Sequence, residues 1–118
     1  MNMSQEPIEP SAGLFGSRTR TSVLLAVRLL EQTYAGELAA VLELGLYSVQ
    51  RAIAALEAEG ALVTRLVGRT RQVQLDPRYV AGRELAALLW TIGSHDLALQ
   101  RALAARRRRP RRIGKPTT

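Results

Sequence analysis

Between positions 37 and 75 the hydrophobic pattern changes its period once, from helical to alternating. Within 46–59, Val49, Ala52, Ile53 and Leu56 recur at helical spacing and form one stripe, while Tyr47, Ser48, Gln50, Arg51 and Ala54 fall on the opposite face. Just upstream, 37–42 predicts a short helix with Leu38, Val41 and Leu42 on one side. Only a few residues separate the two helices, so they must cross steeply. Downstream, Gly60 is a helix terminator, and alternation takes over in 61–67 and 70–75 around the dipeptide Gly68-Arg69. That pattern is a β-hairpin. A two-residue loop with Gly first suits a type II′ turn and pairs Val67 with Thr70, Arg65 with Gln72 and Val63 with Gln74. Leu62, Leu66, Val73 and Leu75 then point to a core, and Arg65, Gln72 and Gln74 line the other face.

The flanks supply more helix. Positions 1–13 are polar, contain Pro7 and Pro10, show no period and are expected to be unstructured. Ser17 is a candidate N-cap for a helix over 18–32, apolar on two sides: Val23, Ala26, Val27 and Leu30 on one, Leu25 and Leu29 on another. Such a helix needs two partners, and the second side is open to another helix or another subunit. Asp76-Pro77 reads as a stop and restart, with Pro77 in the first turn of the next helix. Leu85, Leu88, Leu89 and Ile92 give that helix a stripe, and Trp90 falls opposite it. Gly93-Ser94 closes the helix, and Ser94 can cap a last one from His95 to about position 106, with Leu99, Ala102 and Leu103 as its seam. The last helix has little core of its own, so the first helix and the last two are expected to form a dimerisation layer.

Charge changes the picture at one end only. Through Gln100 there are nine Arg against ten Asp and Glu, a net −1; from Arg101 onward there are seven Arg, one Lys and no acid, a net +8. The run Arg106, Arg107, Arg108, Arg109, Arg111, Arg112, interrupted by Pro110, repels itself and is expected to be disordered when free. A mobile arginine arm beside a nucleic-acid module can still lie along phosphates or in a minor groove. With 118 residues there is room for one domain with one modest core. The chain has no Cys and a single His95, which excludes disulfides and a thiolate metal site; no metal or cofactor is expected. No membrane span and no secretory leader are legible, so the expected location is cytoplasmic, on the nucleoid.

The chemistry of the 46–59 helix follows from its polar face. Tyr47, Ser48, Gln50, Arg51 and Ala54 make up that face and offer hydroxyl, amide and guanidinium groups of the kind that read base edges and phosphates in a major groove. Arg65, Arg69 and Arg71 put cations near the hairpin tip, where backbone or minor groove would be met. Catalysis is not expected. Gly68-Arg69-Thr70 is no phosphate loop, and Glu37, Glu57, Glu59 and Glu84 lie singly on wet helix faces.

The stretch 17–89 resembles a bacterial winged helix-turn-helix of the ArsR-like kind. The resemblance is carried by Gly36-Glu37-Leu38-Ala39, Ser48-Val49-Gln50-Arg51, Leu56-Glu57-Ala58-Glu59-Gly60-Ala61-Leu62-Val63 and Val67-Gly68-Arg69-Thr70. One departure sits in the turn, where the family often has Gly at the position of Glu43 and Ser or Thr at that of Gly45. The resemblance implies a mainly α fold with a small β-hairpin wing, and a minimal third strand at Thr33-Tyr34 with Tyr34 packed inward. It also implies pairing through terminal helices; the absence of Cys argues against metal sensing. Similar winged helices precede minimal nucleotidyltransferase domains, whose Gly-Ser turn followed by paired Asp residues does not occur in this sequence. The expected organisation is a disordered 1–13, a winged helix-turn-helix over 14–93, a dimerising helix over 94–105 and a disordered arginine-rich tail over 106–118. The expected function is sequence-specific binding of double-stranded DNA by a homodimeric transcriptional regulator. The alternative is a protein-interaction adaptor whose tail holds nucleic acid non-specifically.

Overall fold

Helix α1, Arg18–Leu30, is the element around which the others pack. The computed structural model describes residues 13–108, with the side chains of 107 and 108 excepted; the expectations for 1–12 and for Arg109, Arg111 and Arg112 lie outside the described residues. Ser17 caps α1 as its sequence suggests, its Oγ accepting from the Arg20 N–H at 3.0 Å. The helix stops two residues sooner than expected, because Glu31 turns to φ 70° and ψ −58° and the Gln32 N–H closes onto the Leu30 carbonyl at 2.8 Å. That is a γ-turn of the rarer, strained hand.

Both apolar sides of α1 are covered within the chain. Val23, Leu24, Leu25, Ala26 and Val27 are all buried, packed by α2 (Ala35–Leu42) and α3 (Leu46–Ala58) on one side and α4 (Gly82–Ser94) on the other. At the α4 contact Gly93 lets Leu29 approach so closely that a Cβ there would lie 3.0 Å from its Cδ1. The double apolar face is therefore covered by helices of the same chain.

The turn between α2 and α3 is three residues long, and the chain bends by 120° across it. Glu43 holds the left-handed position, φ 56° and ψ 47°, with the Leu44 N–H reaching back to the Ala39 carbonyl at 3.1 Å. Glycine usually occupies such a position, having no Cβ to clash. Here the geometry survives with Glu. Gly45 serves as N-cap of α3 without a side-chain bond. α3 ends in a Schellman arrangement: Gly60 at φ 87°, its N–H on the Glu57 carbonyl and the Ala61 N–H on that of Leu56, both at 3.0 Å.

Strands β1 (Leu62–Val67) and β2 (Thr70–Leu75) pair antiparallel in the expected register, Val67 with Thr70, Arg65 with Gln72 and Val63 with Gln74. Gly68 alone in the loop has positive φ, 64°, as a type II′ turn requires. Leu62 and Val73 are buried, but Leu66 is 60% exposed: it has the inward parity yet lies beyond the end of the core. Thr33 makes the expected extra bridge, exchanging backbone bonds with Val73 at 3.1 and 2.8 Å. The inward residue is Thr33, however, and Tyr34 is exposed, because one step along a strand reverses the side.

Pro77 does not open α4. Asp76 accepts from the Arg78 backbone and side chain at 2.9 and 3.1 Å, holding 77–81 in turns, and α4 begins at Gly82. The Arg78 guanidinium keeps the Asp76 carboxyl below its ordinary value. Leu89 is buried on α4, whereas Leu88 is 45% exposed, contrary to its expected place in the stripe. Trp90 is half exposed, and the Arg28 guanidinium covers it 4.9 Å from the ring centroid while Nε donates to the Ala86 carbonyl.

Helix α5, Leu97–Arg108, differs most from expectation. Asp96 caps it, Oδ1 accepting from the Leu99 N–H at 3.1 Å, while Ser94 is still in α4 with its hydroxyl on the Trp90 carbonyl. It runs three residues past 105, so Arg106, Arg107 and Arg108 form a last helical turn, where cations suit the negative end of the helix. Leu99 and Leu103 are buried against the same core, α5 lying on α2 and α4. Burial of two leucines, at about 1.5–3 kcal/mol each, explains why this helix docks on its own chain. The described residues thus form a mainly helical fold of five helices and a two-stranded antiparallel hairpin. Among the described residues no single helix is long and apolar enough to cross a membrane.

Candidate nucleic-acid interface

The stripe Val49, Ala52, Ile53 and Leu56 is buried, which turns the remaining side chains of α3 outward. Tyr47, Ser48, Gln50, Arg51 and Ala54 are all exposed, and they divide into two sets. Gln50 and Ala54, four apart, face the hairpin. Tyr47 and Arg51, also four apart, form a stacked pair on the outer flank, the guanidinium carbon 5.8 Å from the ring centroid. This stack orients the Arg51 fork at little cost, since a cation on an exposed aromatic face gains about 0.5–1 kcal/mol.

Between α3 and the hairpin runs a groove of about 580 Å³. Its α3 wall is Leu46, Gln50, Ile53, Ala54 and Glu57, its hairpin wall includes Thr64, Arg69, Arg71 and Val73, and Tyr34, Ala35 and Gly36 at the start of α2 close one end. Arg71 borders it and is exposed. Its Nη1 donates to Thr64 Oγ1 at 3.4 Å, and that hydroxyl donates to Glu57 Oε2 at 2.9 Å, tying the base of the hairpin to the last turn of α3. Glu57 thus places a carboxylate on the α3 wall of the same groove.

The three hairpin arginines are thus not one cluster. Arg69, at the tip, and Arg71 border the groove, but Arg65 lies on the opposite face with Val63, Gln72 and Gln74. The register dictates this, because Arg65 pairs with Gln72 and Arg71 with Leu66, one step out of phase. Nor is Arg106 free: its Nε donates to Glu37 Oε2 at 3.0 Å, and Glu37 Oε1 accepts from the buried Thr33 hydroxyl at 2.6 Å. The helical run to Arg108 also brings positive charge into the described residues. Residues 13–108 contain thirteen Arg and eight acids.

Sequence reasoning missed three contributors. Leu46, and Leu66 with the strand parity of the groove face, are exposed and add apolar surface to this side, whereas the exposed Val67 has the parity of Arg65. The Glu57–Thr64–Arg71 chain could have been found from strand parity, which puts Thr64 and Arg71 on the α3 side. The Glu37–Arg106 pair, 69 positions apart, left no local signal. Among the described residues no three His, Asp or Glu side chains come together as metal ligands would. No family model, no curated protein and no solved structure matches this chain.

Proposed function

We propose that the chain is a winged helix-turn-helix regulator that binds double-stranded DNA, with α3 in the major groove and the hairpin as a wing on backbone or minor groove. The observation that supports this best is the joint geometry of the α2–α3 bend and the groove. A 120° bend across three residues presents α3 as the second helix of a helix-turn-helix, and Gln50 and Arg69 border one groove. In this reading Tyr47, Ser48, Gln50 and Arg51 meet bases or phosphates in the first two turns of α3. Arg69 flanks them on the backbone, Arg71 borders the same groove with a bond to Thr64, and Arg65 faces away. The regulator acts as a homodimer, and α4 and α5, where Leu88, Trp90 and Leu97 remain exposed, are the surface offered to the second copy. No catalytic step and no cofactor belong to this reading, and the expected site of action is the nucleoid.

A second reading is favoured by one observation. Leu46, Tyr47 and Leu66 are exposed on the side of α3 and the hairpin, as they would be in an adaptor that docks a protein there and holds nucleic acid only through its arginine run. Selection of bound duplexes from a random pool separates the two. A motif of two half-sites about one helical turn apart supports the regulator, and recovery without any enriched motif supports the adaptor.

A further inference from the structure

On the line of α3 directly opposite its buried stripe, one side chain carries a fork of hydrogen-bond donors. Val49, Ala52, Ile53 and Leu56 are buried, and at about 100° per residue the opposite line runs through Tyr47, Arg51, Ala54 and Ala58, all exposed. Gln50 and Glu57 are turned aside, onto the wall of the groove shared with the hairpin. Along the outward line the two alanines offer methyl groups and Tyr47 one hydroxyl; Arg51 alone offers several N–H groups in one plane. Arg51 is also held in place. Its guanidinium lies over the Tyr47 ring, 5.8 Å from carbon to centroid, one turn along the helix. A cation over a ring is held by the charge distribution of the ring, and the contact takes up none of its donors. Among the described residues no hydrogen bond or ion pair takes them up either. Arg20, Arg78 and Arg106 are instead paired with carboxylates, and Arg28 donates to a carbonyl. Arg51 is thus held against an aromatic ring with both its charge and its donors open. Tyr47, 70% exposed, stands outside the core.

We propose that Arg51 recognises guanine in the major groove and that Tyr47 is the positioning residue that holds its guanidinium for that contact. The inference rests on the DNA-binding reading above and names the base. Guanine presents N7 and O6 side by side on its major-groove edge, two acceptors that match two N–H groups of a planar fork. Adenine sets a donor beside its N7, cytosine presents a donor, and thymine presents one acceptor and a methyl group. Phosphate oxygens match the same fork, but phosphates line the sides of the groove, where the flanks of α3 meet them first. A side chain opposite the buried stripe faces the base edges when the helix lies in the groove. Holding the fork beforehand favours the base contact, because a two-bond contact then loses less side-chain freedom as it forms.

Duplexes are first selected from the random pool by the full chain. The expected motif carries a guanine at one fixed position of each half-site, and selection by Arg51→Ala should lose the preference at that position alone. Replacing that guanine by 7-deazaguanine keeps the base pair and removes the N7 acceptor. It should weaken binding of the unsubstituted chain by roughly tenfold and leave Arg51→Ala unaffected. Tyr47→Ala should lower the ratio of affinities for guanine and adenine at that position by roughly twofold to fivefold. Tyr47→Phe retains the ring and should keep the ratio, with any loss from the missing hydroxyl shared by all duplexes. A motif with no guanine that answers to Arg51, or an equal loss to 7-deazaguanine in Arg51→Ala, overturns the base assignment and leaves the DNA-binding reading intact. A ratio unchanged in Tyr47→Ala, or lowered as much in Tyr47→Phe, overturns the positioning role. Failure of the pool to yield any motif overturns the DNA-binding reading and the inference with it.

Discussion

Replacing Glu43 by Gly should make the protein more stable, although it removes a side chain and loosens the unfolded chain. Glu43 sits at φ 56° and ψ 47°, and no hydrogen bond or ion pair with another of the described residues holds its side chain there. An L-residue in this conformation costs roughly 1–2 kcal/mol from the clash of Cβ with the following carbonyl. Glycine relieves that strain and returns about 0.4–1 kcal/mol to the unfolded state as conformational freedom. The difference leaves about 0.5–1 kcal/mol in favour of folding, a rise in Tm of about 3–6 °C for a domain of this size. The assay is urea and thermal unfolding followed by fluorescence of the single tryptophan, Trp90, which lies on the α1–α4 contact. Glu43→Ala is the control, because it removes the same carboxylate from the negative end of α2 while keeping a Cβ in the left-handed position. If Ala stabilises as much as Gly, the gain is electrostatic; if Gly destabilises, the strained turn is not where the bend is set.

Four other perturbations probe separate parts of the molecule. Gly93→Ala should destabilise by about 1–3 kcal/mol despite the better helix propensity of Ala, because its Cβ would meet Leu29 at 3.0 Å; chemical denaturation showing a gain would mean that the Leu29 side chain yields without loss of packing. Arg51→Ala or Gln50→Ala should cost about 1–3 kcal/mol on the preferred duplex and relax base preference at one position, measured by competition between sequence variants. Loss shared equally by all duplexes would demote the residue to a phosphate contact. Arg69→Ala should weaken binding with little change in preference, whereas Arg65→Ala, on the far face of the hairpin, should change neither. Removing 109–118 deletes Arg109, Arg111, Arg112 and Lys115; for every phosphate these cations would have neutralised, the slope of log affinity against log salt should become shallower by about 0.9, with the preferred sequence retained.

The hairpin and α3 were legible because each is fixed by a short-range rule. Period two, with Gly68 at the first loop position, determines the register of Leu62 to Leu75, and the stripe from Val49 to Leu56 determines which face of α3 stays outside. Where the rule rests on a single residue it fails. Thr33 and Tyr34 form a bridge one residue long, so nothing in the sequence says which of them points inward. Leu66 has the correct parity but lies past the core, and parity carries no information about where a core ends. Pro77 suits a helix start, yet the Asp76–Arg78 bonds keep 77–81 in turns before α4. The docking of α5 depends on Leu99, Leu103 and one ion pair formed with residues far away in sequence. A helix with so narrow a seam reads equally well as half of a dimer interface. For the same reason the candidate site was legible in its members and not in its arrangement: the separation of Arg65 from Arg71, and the engagement of Arg106 by Glu37, are consequences of register and tertiary packing.

The proposed function stands or falls on whether the exposed face of α3 and the hairpin tip meet DNA together. That is read most directly from the change in backbone amide resonances when a duplex from the random pool is added to the full chain. The largest shifts are expected at Tyr47, Ser48, Gln50, Arg51 and Arg69, smaller ones at Ala35 and Gly36, and almost none at Arg65, Leu88 or Trp90. Shifts confined to α4 and the C-terminal residues, with α3 silent, would refute it.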